Sequence, residues 1–383
     1  MRRVYFDNNA TTPVLPVVLE AMQPYFGEHF GNASSIHHHG QETRAAVERA
    51  RESVALLLGC RASEIVFTSG GTEGDNLGIF GLIRPGDHVI TSTIEHHAVL
   101  NACKHLESTG VEVTYIPVDS KCLVAPDDIR HALRPNTRLI SIMMANNETG
   151  VLQPVEEIGK LAAEADVYFH TDAVQAAGKV PLDVSRIACD VLTISGHKIH
   201  APQGTGAVYV RKGTLLHPML HGGRHERSRR AGTENVPGIV GLGKAAELAR
   251  LGLENGEVTR MAALRDRLQA ALLREVDESA VNGTGAPRVP NTTNIRFEHL
   301  EGEALIIALD LKGLAVSTGA ACSSGAIEPS HVLTAMGLRP DQARASIRFS
   351  LGKQNTEDEV DFAIALVPQT VAKLRELSPA YAK

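Results

Sequence analysis

The chain contains few cysteines, and their pattern does not suit a structural role. Its 383 residues include five cysteines, an odd number, and no Cys-x-x-Cys pair. An odd count without such pairs argues against a disulfide framework and against a zinc site built from thiolates. These observations favour a reducing compartment, so we expect a cytoplasmic protein.

Long apolar runs and stripes of basic residues are absent as well. No stretch approaches about 18 uninterrupted apolar residues, the length that a membrane span needs. The sequence begins Met1-Arg2-Arg3 and turns polar at residues 7–9 before an apolar signal region can form. The 38 basic and 44 acidic residues are interleaved and give a formal net charge of -6, which does not suit a phosphate backbone. We therefore expect no secretion, no membrane span and no nucleic-acid partner.

Short β-branched runs alternate with longer helical patterns from about residue 64 onward. This alternation predicts an α/β fold whose large domain has a mostly parallel sheet covered by helices. The predicted strands of this sheet are 65–68, 88–91, 112–116, 139–144, 167–170, 191–194 and 206–210, seven in all.

The rhythm changes after a helical region at about 245–275, and shorter strands follow at 293–297 and 346–350. We place a domain boundary near residue 255 on this change. The last helix has a clear start, because Thr356 with Glu359 forms a capping box, whereas Pro368 should kink or break that helix. The expected division is a large domain at 15–255 and a smaller α+β domain at 1–14 and 256–383.

The glycine-rich turn after the first predicted strand could hold a phosphate. Residues 69–74 read Ser-Gly-Gly-Thr-Glu-Gly and lead into a helical pattern, so small residues lie at a helix N-terminus. The turn is not a nucleotide P-loop, because no Gly-Lys-Ser/Thr follows it. Alone, it could equally be a structural turn.

Two further strand ends carry an acid and a lysine. Asp172 follows the strand at 167–170, and Lys198 follows the strand at 191–194. Alone, Asp172 could be a helix N-cap and Lys198 a surface or ion-paired residue. Because ligands of such sheets gather at the carboxyl ends of the strands, the three features belong together. An anion site, a partner for a pyridinium nitrogen and an amine for a Schiff base are what pyridoxal phosphate requires.

Histidines near a fourth strand end suit the same cofactor better than a metal. His96 and His97 follow Glu95, and an imidazole there could lie on the ring face and move protons. A metal site at this pair, or at the histidines 37–39, lacks a matching carboxylate or second histidine at helical spacing. We expect no metal.

Cys322 differs from the other four cysteines in its surroundings. The run 317–325, Ser-Thr-Gly-Ala-Ala-Cys-Ser-Ser-Gly, contains only small residues and favours an exposed, pliant loop. The remaining cysteines fit the role of small buried hydrophobes. Reaction at Cys322 would need the thiolate, and the sequence alone does not show what would lower its pKa.

In this combination the chain resembles the cysteine desulfurases of the NifS/IscS type, in the class V branch of fold type I pyridoxal phosphate enzymes. The resemblance covers nearly the whole chain, and several of its motifs are specific to the family. They occur at 5–13, 31–32, 67–73, 95–100, 146–150, 172–175, 195–198, 230–233, around Cys322 with 328–330, and at 347–350.

The resemblance implies how the cofactor is bound. Lys198 would form the Schiff base, Asp172 would pair with the ring nitrogen, and His96 would stack on the ring. Gln175 and Asn147 would contact the phenolic oxygen or the substrate. The phosphate would be held by Gly71, Thr72, Ser195 and His197, with Thr233 contributed across the interface of a homodimer.

The resemblance also implies the reaction. Arg348 and Asn32 would receive the carboxylate of L-cysteine, an arrangement for which arginine's planar fork is suited. L-Alanine would be released, and the sulfur would stay on Cys322 as a persulfide. The longer form of this loop, about 316–329, accompanies delivery to scaffold proteins of iron–sulfur cluster assembly.

Other readings remain open from the sequence. A selenocysteine lyase or a class V aminotransferase would share the cofactor residues, but neither needs a loop thiol such as Cys322. A non-enzymatic docking or regulatory subunit is disfavoured, because the lysine, the acid, the histidine, the arginine and the cysteine are all present.

Overall fold

The structure of the chain, a computed structural model, describes residues 2–318 and 328–377. Cys322 therefore lies outside the described residues. The strands are β1 (Val4–Tyr5), β2 (Ile65–Thr68), β3 (His88–Ser92), β4 (Glu112–Ile116), β5 (Thr137–Ser141), β6 (Tyr168–Asp172), β7 (Val191–Ser195), β8 (Gly206–Val210), β9 (Ser279–Val281), β10 (Thr292–Phe297), β11 (Leu314–Ala315) and β12 (Ser346–Ser350).

The α-helices surround these strands. They are α1 (Pro16–Met22), α2 (His38–Leu58), α3 (Gly71–Phe80), α4 (His97–Glu107), α5 (Pro126–Ala132), α6 (Val155–Glu164), α7 (Val184–Ile187), α8 (Val236–Glu254), α9 (Glu257–Glu275), α10 (Gly302–Asp310), α11 (His331–Ala335), α12 (Pro340–Arg344) and α13 (Glu357–Glu376). Within the described residues, none of them combines the length and the apolarity needed to cross a bilayer.

Seven strands form the central sheet in the order β2-β8-β7-β6-β5-β3-β4. Neighbouring strands are parallel except β8, which is antiparallel to both β2 and β7. This confirms the predicted mostly parallel α/β sheet. One strand is displaced from its prediction at 139–144: β5 begins at Thr137, which pairs with His88, and ends at Ser141. Beyond Ser141 the backbone still bonds to β6, because the Ile142 N–H donates to the His170 carbonyl at 3.2 Å and the Met144 N–H donates to the Asp172 carbonyl at 2.8 Å. Met143, between them, is buried and lines a cavity.

Most strands of the sheet are buried on both faces, which explains their continuous apolar runs, whereas the edge strand β4 is partly exposed. Side chains alternate between the faces, so Ile65 and Phe67 join one hydrophobic cluster and Val66 joins the other. The first cluster includes side chains of α2 and α8, and the second includes side chains of α3 and α4. The helices therefore form layers above and below the sheet.

A separate hydrophobic cluster is built from the N-terminal strand and from residues after 256. It contains Phe6, Phe297 and Phe349, and it lies against the antiparallel sheet β12-β10-β9 and the parallel pair β1-β11. The helical region predicted at 245–275 is two helices, because Asn255 and Gly256 separate α8 from α9 and Gly256 has a φ of 85°. The division into domains at this point stays a prediction.

The last helix, α13, begins as predicted but is not broken by its proline. Thr356 accepts a hydrogen bond from the Glu359 N–H, and the Glu359 carboxylate accepts one from the Thr356 N–H, so the capping box is confirmed. The helix nevertheless continues through Pro368 to Glu376. Val367 and Val371 on either side of the proline are buried in the cluster around Phe297, and this packing offsets the lost backbone hydrogen bond.

Candidate active site

A cavity of about 360 Å³ lies at the carboxyl ends of the central strands. It collects the segments that follow β2, β3, β5, β6 and β7, the edge at which ligands of such sheets bind. Ten predicted site residues line it: Gly71, Thr72, His96, Asn147, Asp172, Gln175, Ser195, His197, Lys198 and Arg348. The remaining lining comes from Asn9, Ala10, Asp75, Met143, Val174 and Ser317.

The turn between β2 and α3 provides a narrow cradle at the start of a ten-residue helix. A Cβ at Gly71 would lie 2.9 Å from Val174 Cγ2 and 3.5 Å from Ser195 Cβ, so only glycine fits. The first N–H groups of α3 have no partner within the helix and can bind an anion. The hydroxyls of Thr72 and Ser195 line the cavity near this turn. These donors fit a phosphate group.

Asp172 supplies a buried carboxylate at the last position of β6. One of its oxygens accepts a hydrogen bond from the Val174 N–H at 2.8 Å. Burial, reinforced by the neighbouring Asp75, raises the pKa of Asp172 to about 8. An acid that is costly to ionise in its own surroundings fits a cationic ring nitrogen, whose charge would compensate the carboxylate.

Asp75, on α3, is a second buried acid in the same cavity. Its Oδ1 has no hydrogen-bond partner among the described residues, although His170 Nε2 lies 3.6 Å away. Burial raises the pKa of Asp75 to about 7. Nothing in the local sequence distinguishes Asp75 as a site residue, because an aspartate in the first turns of a helix is usually exposed.

Lys198 ends the short 3₁₀ helix Gly196–Lys198 that follows β7. Its Nζ donates to the carbonyl oxygens of Asn9 at 2.5 Å and Ala10 at 2.7 Å. Burial, followed by the positive charge of Arg348, lowers the pKa of Lys198 to about 8. A larger fraction of the amine is therefore unprotonated near neutral pH than for an exposed lysine, as Schiff-base chemistry requires.

His96 is the N-cap of α4, and its Nδ1 accepts a hydrogen bond from the Ala98 N–H at 3.1 Å. This bond leaves Nε2 as the protonated nitrogen of the neutral ring. Burial, followed by the charge of Lys198, lowers the pKa of His96 to about 4. Burial in the same way lowers the pKa of His197 to about 4, so both imidazoles are neutral near pH 7.

Arg348, in β12, is held in place by two acceptors. Its Nη1 donates to the carbonyl oxygen of Asn147 at 2.9 Å, and its Nη2 pairs with Asp7 at 2.6 Å. Its Nε is buried without a hydrogen-bond partner among the described residues. A guanidinium that lines the cavity with an unused donor fits the carboxylate of an amino-acid substrate.

Both flanks of the segment that contains Cys322 are anchored beside the cavity. Ser317 pairs with Arg348 in an antiparallel bridge, and the Arg348 N–H donates to the Ser317 carbonyl at 2.6 Å. On the other flank, the Ser330 hydroxyl donates to the buried carboxylate of Glu148. The chain therefore leaves and re-enters the described structure close to the cavity.

The other four cysteines are unreactive by their surroundings. Cys103, Cys122 and Cys189 are buried, and Cys60 is half-buried. Burial raises the pKa of Cys60, Cys103 and Cys122 to about 12 and that of Cys189 further. These thiols stay protonated near neutral pH, in agreement with the prediction that they serve as small hydrophobes.

Two predicted site residues do not line the cavity. Asn32 is exposed, and its Oδ1 accepts a hydrogen bond from the Ser34 N–H. Thr233 is exposed as well. Within one copy of the chain these residues are not brought together with Lys198, so their roles stay predictions.

No group of three or more His, Cys, Asp or Glu side chains among the described residues is arranged to hold a metal ion.

Two further residues that sequence reasoning did not assign are Asn9 and Lys179. The Asn9 carbonyl accepts hydrogen bonds from both Lys198 and Gln175, and the buried Lys179 donates to the side chains of Asn9 and Gln175. Asn9 belongs to the motif at 5–13, which could have drawn attention to it. Nothing in the local sequence shows that Lys179 is buried.

Comparison with known proteins identifies the family of the chain. Residues 4–362 match the family described as Aminotransferase class-V. The chain belongs to this family, and within it to the cysteine desulfurases. This chain is 52% identical over 382 residues to "Cysteine desulfurase IscS" of Methanosarcina thermophila, and the alignment covers 99% of this chain and 94% of the relative. It is 49% identical over 382 residues to "Cysteine desulfurase IscS" of Dictyoglomus turgidum, with 99% and 97% covered.

A solved structure of a related protein has the same fold as this chain. The structure described as "NIFS-LIKE PROTEIN" superposes with a TM-score of 0.88 at 38% sequence identity and covers 97% of this chain and 100% of that chain. The resemblance to the NifS/IscS type and the fold type I architecture are both confirmed.

Proposed function

We propose that the chain is a pyridoxal-phosphate-dependent cysteine desulfurase that converts L-cysteine to L-alanine and transfers the sulfur to Cys322. The observation that carries this proposal is the single cavity that holds Lys198, Asp172, His96 and Arg348 together. The class V membership and the cysteine desulfurase relatives support it. In this proposal the enzyme is a cytoplasmic homodimer.

The cavity residues divide the binding of the cofactor among them. The bound cofactor would supply an electron sink for a carbanion at the substrate Cα. Its contacts would be Lys198 at the aldehyde carbon, Asp172 at the ring nitrogen and His96 on the ring face. Gln175 and Asn147 would contact the phenolic oxygen or the substrate. The phosphate would be held by Gly71, Thr72, Ser195, His197 and Thr233 of a second copy.

The side chains of the site then act on the substrate. Arg348 binds the carboxylate of L-cysteine, and Asn32 is proposed to assist it. Lys198, once released from the cofactor, takes the proton from Cα, a step that its lowered pKa favours at neutral pH. His96 stays a neutral imidazole with its proton on Nε2, so it can donate a hydrogen bond without adding charge.

The sulfur step requires the Cys322 thiolate. The thiolate attacks the sulfur of the bound substrate, the Cβ–S bond breaks, and a new S–S bond forms on Cys322. The electron pair of the Cβ–S bond stays with the three-carbon fragment, which takes up protons and leaves as alanine. We propose that the persulfide then passes its sulfur to a scaffold protein of iron–sulfur cluster assembly.

The test is to measure alanine and sulfide released from L-cysteine with a thiol reductant. The natural chain and Cys322→Ala are compared, with Cys103→Ala as a matched control at a buried thiol. We expect equal amounts of both products from the natural chain and from the control, and neither product from Cys322→Ala although its visible cofactor absorbance persists. Retained activity in Cys322→Ala would instead favour a lyase or an aminotransferase.

A further inference from the structure

Lys179 is a buried lysine next to the cavity that has no role in the proposed reaction. It follows Gly178 in the turn after β6, and its residue exposure is 6%. Its Nζ donates to Gln175 Oε1 at 2.7 Å and to Asn9 Oδ1 at 3.2 Å. No ion pair with a carboxylate is found for it among the described residues, and a buried amine without such a pair is costly. We therefore looked to the contacts of the Lys179 amine for a functional role of this residue.

The neighbours Asn9 and Lys179 determine the orientation of the Gln175 side-chain amide. The carbonyl oxygen of Asn9 can only accept a hydrogen bond, so the atom that lies 2.9 Å from it must be the nitrogen, Nε2. The oxygen, Oε1, then faces Lys179, which donates to it. Nε2 carries a second N–H, for which the described residues show no acceptor, and Gln175 lines the cavity.

Asn9 connects this pair to the Schiff-base lysine. The Asn9 carbonyl accepts from Lys198 Nζ at 2.5 Å as well as from Gln175, while Asn9 Oδ1 accepts from Lys179 and from Asn291 Nδ2 at 3.0 Å. Removing Lys179 would leave Gln175 Oε1 buried without a donor, and the Asn9 carbonyl would then be the one remaining described contact that holds the Gln175 amide in place. Removing Asn291 would leave the contacts of Gln175 unchanged.

We propose that Lys179 is a positioning residue, which holds Gln175 so that an amide N–H is available to the phenolic oxygen of the cofactor. This inference rests on the proposed function. A hydrogen bond to that oxygen stabilises its anionic form, so the neighbouring imine nitrogen holds its proton less tightly. The natural enzyme therefore loses the imine proton at a lower pH than an enzyme without this hydrogen bond.

The charged groups around Lys179 do not replace it in this role. Burial is the main cause that lowers the pKa of Lys179, and the nearby cations Lys198 and Arg348 lower it further. Lys179 also interacts electrostatically with His200. None of these groups donates to Gln175 Oε1 in the described structure. An amine donates hydrogen bonds in its charged and in its neutral form, so the proposed orientation does not depend on the protonation of Lys179.

The test is a pH titration of the visible absorbance of the bound cofactor, without substrate. We expect Lys179→Met to raise the midpoint by about one pH unit, the lower end of what a lost hydrogen bond or charge produces. The matched control is Asn291→Leu, which removes a neutral donor from the same Asn9 oxygen and should keep the natural midpoint. An unchanged midpoint in Lys179→Met, or an equal shift in the control, overturns the proposal.

A double-substitution cycle separates action through Gln175 from action through space. If Lys179 works by orienting Gln175, Lys179→Met should cause no further shift in a Gln175→Met background. A full additional shift there would contradict the positioning role. If Lys179→Met does not fold, Lys179→Gln retains a neutral N–H donor and should keep the natural midpoint, and a raised midpoint overturns the inference. A natural chain that shows no visible band with pyridoxal phosphate would instead refute the proposed function.

Discussion

Single residues at the site have pKa values that burial moves toward their neutral forms. The carboxylic acids Asp172 and Glu95 have their pKa raised to about 8, whereas the imidazoles of His96 and His170 have theirs lowered to about 4. Desolvation is the largest cause in each case. These groups therefore carry less charge near neutral pH than the same side chains would in water, and the first prediction follows from the raised pKa of Asp172.

The first prediction concerns the pH dependence of stability after the cofactor has been removed. Because burial raises the pKa of Asp172 to about 8, the native state binds more protons than the unfolded chain between the ordinary pKa of aspartate and this value. The contribution to stability is therefore present at low pH and is lost as the pH rises through about 8. Between about pH 7 and about pH 9, the free energy of unfolding should fall in both proteins. The fall should be about 1 kcal/mol smaller in Asp172→Asn than in the natural chain.

Urea denaturation at the two pH values measures this difference. The control is Asp183→Asn, since the half-buried Asp183 has its pKa lowered by the Ser185 hydroxyl and does not titrate in this window. Asp183→Asn should keep the natural pH dependence, and an asparagine oxygen can still cap α7. The same slope in Asp172→Asn as in the natural chain would show that Asp172 is ionised throughout.

The second prediction concerns Arg348 and the affinity for L-cysteine. Arg348→Lys keeps a positive charge but loses the planar fork, which is held by Asp7 and by the Asn147 carbonyl. We expect KM for L-cysteine to rise about 100-fold with a smaller fall in kcat, since a charged hydrogen bond to the substrate is lost. Steady-state kinetics measure both constants. The control is Arg260→Lys, at an arginine that donates to the main-chain carbonyls of Lys353 and Asn355, and it should leave KM unchanged. An unchanged KM in Arg348→Lys would rule out this substrate contact.

At the scale of elements, the short helix α11 fixes one flank of the segment that contains Cys322. Ser330 caps this helix by accepting from the Leu333 N–H at 3.1 Å, and its hydroxyl donates to the buried Glu148. Glu148 neighbours Asn147, whose carbonyl holds Arg348. The flank of the cysteine segment and the substrate-binding arginine are thus attached to the same turn.

The third prediction follows from this cap. Ser330→Ala removes the cap and leaves the Glu148 carboxyl without its hydroxyl donor, so the free energy of unfolding should fall by about 2 kcal/mol. Urea denaturation measures the change. Ser53→Ala, where an exposed hydroxyl donates to the Arg49 carbonyl within α2, should change stability by less than about 0.5 kcal/mol. An equally small effect at Ser330 would mean that the flank is held by other contacts.

The elements also show what the sequence could and could not predict. The strands were predictable because most of them are buried on both faces, and the residues at their carboxyl ends were predictable because parallel strands end at one edge. The burial of Asp75 and Lys179 was not, since it depends on chain segments distant in sequence. The continuation of α13 through Pro368 was missed for the same reason, because packing there outweighs the local preference of proline.

At the scale of the whole molecule, the segment that carries Thr233 is fixed to the main body at two points. Arg51 forms a buried bidentate pair with Glu226, at 2.7 and 2.8 Å, and Arg230 pairs with Glu73 at 2.8 Å. Glu226 holds a φ of 45°, a backbone conformation that the buried pair with Arg51 stabilises. Thr233 is therefore presented on an ordered, exposed part of the surface, where a second copy of the chain could use it.

The last prediction tests whether two copies share each site. Lys198→Ala destroys the site of its own copy, and Thr233→Asp places a carboxylate where the other copy would bind phosphate. Each variant alone should be inactive, but a mixture refolded together should recover about a quarter of the natural activity, since half of the dimers are mixed and each has one intact site. As a control, Lys198→Ala refolded with Lys198→Ala, Thr233→Asp double-substituted chains should stay inactive. If the first mixture is also inactive while native mass spectrometry shows mixed dimers, Thr233 does not act across the interface. Had it done so, each mixed dimer would have contained one intact site.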